Sequence, residues 1–126
     1  MKIHLKQIIL FCADVEKLVR FYQDCFGFSV AGVMDKNWTV LETGQTQIAF
    51  HKIGEQYLNV PADEFNVGET NVKLVFEINE DLSSFRQSLI SKKADVDEIK
   101  QFTGYPYLVC DGRDPEGNVF QLLQNI

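Results

Sequence analysis

Along the chain the spacing of apolar residues changes period several times, and each change marks an element. Residues 5–12, LKQIILFC, are rich in isoleucine, leucine and phenylalanine and predict a largely buried strand. Asp14 then offers a carboxylate to cap the exposed amides of a first helical turn. Val15, Leu18, Val19, Tyr22, Cys25 and Phe26 recur at three- and four-residue intervals, which predicts a helix with one apolar face, closed by Gly27. Short strands are expected at 28–33, 38–42 and 47–52, the last two joined by the glycine turn Thr43-Gly44-Gln45.

Periodicity lapses over residues 54–70, which read as a connector pinned by a few apolar side chains, Tyr57, Leu58 and Phe65. It resumes with a strand at 71–78. Asn79 is the expected cap of a second helix, with Glu80 and Asp81 in a first turn that favours negative charge. Leu82, Phe85, Leu89 and Ile90 form its apolar stripe, and Lys92 and Lys93 its end. Strands at 96–101, 105–111 and 119–124 complete the chain. Both halves read β-α-β-β-β, an internal repeat of pattern rather than identity, with repeat 1 over about 1–53 and repeat 2 over about 71–126. The expected fold class is α+β: one domain over residues 1–126 whose curved mixed sheet encloses a cavity and carries its helices on the outer face.

Composition narrows the function classes. With 126 residues, 45% hydrophobic and 24% charged, the chain has the makeup of an ordinary globular domain. Its net charge of −6 argues against general nucleic-acid binding, which calls for a basic stripe. Cys12, Cys25 and Cys110 are odd in number and far apart, without the paired spacing of a zinc or redox site, and read as reduced thiols. The apolar run at 8–11 is too short for a signal segment, and no stretch approaches the length of a membrane span. Cytoplasmic location is the expectation, with neither nucleic acid nor membrane as partner.

The stretch CDGRDPEGNVFQLLQ, residues 110–124, crowds carboxylates and glycines before an apolar run. A calcium loop is excluded by its spacing: Gly112 stands where the first aspartate belongs and Leu123 where the closing glutamate belongs. As a turn every residue has a place. Pro115 presets a backbone angle, Gly117 accepts positive φ, and Asp114 and Asn118 bond nearby amides. Arg113 reads as a water-exposed turn residue, and Gln121 as the polar exception in the strand that follows.

Ala13-Asp14-Val15 through Phe21-Tyr22 to Phe26-Gly27-Phe28, together with Asp114-Pro115-Glu116-Gly117-Asn118, resemble the opening and closing motifs of the glyoxalase/bleomycin resistance/extradiol dioxygenase group, also called the vicinal oxygen chelate superfamily. With the paired repeats between them, the resemblance covers nearly the whole chain. It implies the fold, and it leaves activity open, since members include isomerases, dioxygenases, thiol transferases and non-catalytic antibiotic-binding proteins. It also implies a homodimer, in which ligand cavities are completed.

In metal-using members the ligands project from the first and last strand of each half, and motif spacing carries these positions to Gln7, Ala49, Lys73 and Gln121. Two amides, one methyl and one ammonium form a poor set for a divalent cation. A displaced metal set is conceivable in Gln7, His51, Glu77 and Gln121, because His51 shares the strand face of Ala49 and Glu77 that of Lys73. His4 has the opposite parity to Gln7. Trp38, Phe50, Tyr105, Tyr107 and Phe120 are core residues or a stacking lining, and Lys73 is a cation for an anionic ligand group or for Glu77, or a rim residue that reaches solvent.

The leading expectation is a metal-free, cofactor-free protein that binds a small organic ligand, as in antibiotic or metabolite sequestration. Its ligand contacts are drawn from Gln7, Trp38, Ala49, His51, Lys73, Glu77, Tyr105, Tyr107 and Gln121. The alternatives are a lyase or dioxygenase using the displaced divalent metal, and a protein-interaction module.

Overall fold

A computed structural model describes all 126 residues. They divide into two compact units, Met1–Phe65 and Asn66–Ile126, so each repeat has its own unit and the connector is split between them. No helix is long and apolar enough to cross a membrane.

The first unit runs β1 (Gln7–Cys12), α1 (Val15–Phe26), β2 (Ser29–Ala31), β3 (Trp38–Glu42) and β4 (Gln47–Lys52). Its four strands form one mixed sheet in the order β1-β4-β3-β2, with β1 parallel to β4 and the other pairs antiparallel. Alternation sends Cys12, Thr39, Leu41, Ile48 and Phe50 to one face, where all are buried with Val15, Leu18, Val19 and Tyr22 of α1. Asp14 caps α1 as its residue type predicts, accepting from the Lys17 amide at 3.1 Å. Gly27 closes the helix at φ 73°, its N–H bonding the Gln23 carbonyl at 2.9 Å.

The second unit repeats the plan with β5 (Leu74–Glu77), α2 (Leu82–Ser91), β6 (Asp95–Val96), β7 (Tyr107–Arg113) and β8 (Val119–Asn125), in the order β5-β8-β7-β6. Leu74, Leu82, Leu89, Cys110, Phe120 and Leu122 are its buried core. Phe50 and Phe120 are thus helix-side core residues in their respective units, not lining. Two 3₁₀ turns, Glu55–Tyr57 and Ala62–Glu64, occupy the first part of the connector.

Several expectations shift here. Asp81, not Asn79, caps α2: its carboxylate accepts from the Ser84 amide at 2.9 Å and hydroxyl at 2.8 Å, and the amide bond holds the acid below its usual pKa. The strand expected at 71–78 is only Leu74–Glu77. The one expected at 96–101 is Asp95–Val96 followed by a single bridge at Lys100, because the intervening residues meet β7 only intermittently. The strand expected at 105–111 begins and ends two residues later, so it carries Arg113.

The Asp114 turn is as expected. The Asp114 carboxylate, in a residue only 5% exposed, accepts from the Glu116 and Asn118 amides, each at 3.0 Å, and from Asn118 Nδ2 at 2.9 Å. Gly117 has φ 88°, and a Cβ there would meet the Asn66 side chain at 2.6 Å.

Candidate functional site

In each unit one sheet face packs on its helix, and the other stays open. Register builds the open face of the first sheet in three rows. Gln7, Gln47 and Glu42 make a polar row, with Gln7 donating to Gln47 at 3.0 Å and Gln47 to Glu42 at 2.5 Å. Next come Ile9, Ala49 and Val40, where Ala49 is buried and Ile9 exposed. The last row is aromatic: Phe11, His51 and Trp38. The His51 ring lies 5.2 Å from that of Phe11 and 5.7 Å, edge to face, from that of Trp38. Phe11 is 59% exposed and Trp38 38%, although both stand on regular strands.

The open face of the second sheet is ionic. Gln121 of β8 is opposite Asp111 of β7 and donates to its Oδ1 at 2.9 Å, while Lys73 donates to Oδ2 at 2.8 Å. Burial pushes the Asp111 carboxyl up, but the Lys73 and Gln121 hydrogen bonds and the charges of Lys73 and Lys100 outweigh it, so the acid is held below its usual pKa. Arg113 grips two carboxylates, Asp95 at 2.8 and 3.1 Å and Asp97 at 2.5 Å. Its hydrogen bonds, first to Asp95 and then to Asp97, keep the guanidinium more firmly protonated than usual and lower the Asp95 pKa. Arg113 is therefore a strand residue in a charge cluster, not a water-exposed turn residue. Glu77 accepts from Asn125 at 2.6 Å. Lys73 pairs with Asp111 rather than with Glu77.

A cavity of about 140 Å³ opens on this face, lined by Lys73, Asp97, Lys100, Phe102, Val109 and Gln121 among others. Tyr105 and Tyr107 form a ring pair at 5.7 Å outside its lining.

The family model described as "Glyoxalase/Bleomycin resistance protein/Dioxygenase superfamily" matches residues 4–122. The chain belongs to that superfamily. No curated protein matches it. Among solved structures, an integron cassette protein from the mobile metagenome of V. cholerae is 23% identical with a TM-score of 0.73, over 98% of this chain and 97% of that one. The genomically encoded fosfomycin resistance protein FosX of Listeria monocytogenes is 14% identical with a TM-score of 0.77, over 100% and 96%. A lactoylglutathione lyase from Agrobacterium tumefaciens is 12% identical with a TM-score of 0.72, over 96% and 92%. At such identities the likeness is one of fold.

Within the superfamily fold, the four positions carried over by motif sit on the open faces: Gln7 and Ala49 in the first unit, Gln121 in the second, with Lys73 just before β5. Their chemistry does not fit a divalent cation. Ala49 has no donor atom, and the nearest carboxylate to Gln121 is already neutralised by the Lys73 ammonium. Nor does any group of three or more His, Cys, Asp and Glu side chains gather as a metal site. Of the displaced set, Gln7 and His51 lie two rows apart on the first sheet, while Glu77 and Gln121 occupy neighbouring rows of the second.

Register also brings forward residues that the sequence reading passed over. Phe11 joins Trp38 and His51, a placement that its parity with Gln7 signals. Asp111, Lys100 and Phe102 surround Gln121, and only the strand pairing places them there.

Proposed function

We propose that this superfamily member binds a small organic ligand on its open sheet faces and does so without a metal at the family positions. The observation that carries the reading is the Lys73–Asp111–Gln121 network. A tethered ammonium and an amide meet the carboxylate beside Gln121, so a fixed organic cation stands where a free divalent ion would need open carboxylates. The exposed Phe11–His51–Trp38 row supports the ligand-binding half, since large apolar rings held on strands lose little freedom when they stack on a partner. Gln7 on the face of the first unit, and Lys73 and Gln121 on that of the second, are the polar groups each face offers a ligand, and a homodimer is the expected assembly.

Calorimetric titration with Mn²⁺, Ni²⁺ and Zn²⁺, run beside a thermal-shift screen of small aromatic compounds, tests the reading. The expected result is no stoichiometric metal binding, and stabilisation by aromatics that weakens about tenfold in W38A. Micromolar binding of one metal ion per chain, abolished in Q121A, would sink it.

A further inference from the structure

The 140 Å³ cavity of the second unit has a chemical bias that the network alone does not express. Its lining holds two cations, Lys73 and Lys100, and three carboxylates, Asp97, Glu98 and Asp111, while Arg113 and Arg86 pair with Asp97 and Glu98 from outside it. Its hydrogen bonding is not balanced. Every carboxylate already has a cation: Asp111 has Lys73, Asp95 and Asp97 share Arg113, and Glu98 has Arg86. An ammonium carries three donors. Lys73 directs one to Asp111, which leaves two, and Lys100 is in no ion pair, which leaves three.

Backbone geometry fixes where these donors stand. Lys100 and Val109 exchange hydrogen bonds of 2.8 and 2.9 Å, so their side chains share the open face. Val109 is buried and Phe102 half exposed, and these two are the apolar residues of an otherwise polar and charged lining. Its volume of about 140 Å³ is of the order occupied by one aromatic ring.

We infer that this cavity is a subsite for a small organic carboxylate, its anionic oxygens on Lys100 and Lys73 and its apolar part, no larger than one ring, against Phe102 and Val109. The inference rests on the ligand-binding reading above and names the chemical class that this part of the open surface accepts. Because the lining carries no net positive charge, recognition comes from short-range donors rather than long-range attraction, and its salt dependence is shallow.

Benzoate, acetate and the neutral isostere benzamide, each titrated into the full-length ¹⁵N-labelled protein, test it. Benzoate should give saturable shifts at the amides of Lys100, Phe102, Val109, Asp111 and Gln121. Benzamide should bind about tenfold more weakly or worse, as loss of a charge-assisted hydrogen bond implies. Acetate should also be weaker, since it lacks the apolar part. K100M alters an exposed side chain, keeps the Lys73–Asp111 pair, and should weaken benzoate about tenfold. Equal affinity for benzamide and benzoate, or unchanged benzoate affinity in K100M, would overturn the subsite. Aromatics that shift Trp38 and His51 while benzoate leaves the second unit untouched would overturn it too, yet leave the broader reading standing. If no compound shifts any amide, both fail.

Discussion

On the open side of the first sheet, Ile9, Phe11, Trp38 and His51 make an aromatic and aliphatic surface, whereas the corresponding side of the second carries Lys73, Asp95, Asp111 and Arg113, tied in pairs. The helix-facing sides, by contrast, are alike: Phe50 and Leu41 in one, Phe120 and Leu122 in the other, all fully buried. Strand alternation explains how this is possible. The inward set decides whether the sheet folds, and the outward set is free to carry different chemistry on the same scaffold. Two identical topologies therefore do not imply two equivalent sites.

The largest effects should fall where the halves agree. F50A and F120A each remove a ring that is 0% exposed and should each cost about 3–5 kcal/mol, read as urea midpoints by circular dichroism. A cost below about 2 kcal/mol in one of them would show that its sheet tolerates a void and that the inner faces are not equivalent after all.

Next come the turns that join the last two strands of each unit. In the second, Asp114 satisfies two backbone amides and the Asn118 side chain from a buried position. In the first, Thr43 makes one hydroxyl bond to the Thr46 carbonyl. D114A should cost about 2–3 kcal/mol and T43A about 1, because only the former strands buried donors. Equal costs would erase the distinction between the turns.

The smallest effect separates the outer faces by acid. The folded pKa of Asp111 lies below its unfolded value. Its contribution is therefore complete above about pH 4, the unfolded carboxylate range, and is lost as pH falls through the folded value. Lys73 and Asp111 side chains are 43% and 29% exposed, so solvent screening limits the pair to about 1 kcal/mol. The stability gap between the wild type and D111N should be widest near pH 6 and narrow toward pH 2.5; a gap that widens on acidification would contradict the assigned pairing.

Much of this was legible in the sequence, for reasons that also mark where legibility ends. Helix α1 announces itself through Asp14, a clean apolar stripe and Gly27, all local signals. The start of α2 is blurred because Asn79, Glu80 and Asp81 are all competent near a helix start, and only the geometry selects Asp81. The open-face placement of Gln7, Ala49 and His51 follows from parity within one strand. Asp111 does not: its meeting with Gln121 depends on the register between β7 and β8, which parity within either strand leaves open. Arg113 lies beyond a strand that ends at residue 111 and so reads as a turn residue, whereas β7 extends to include it. Its partners Asp95 and Asp97, two residues apart on one face, were the available clue.

All three cysteines are buried and none is in a disulfide, with Cys12 and Cys25 in the first unit and Cys110 in the second. Burial also raises the Cys110 thiol pKa, which further reduces its thiolate. The molecule thus carries its own stopwatch for local opening. A thiol reagent added to the native protein reacts only as each unit loosens, and the mass of the product records which one opened: two adducts for the first, one for the second.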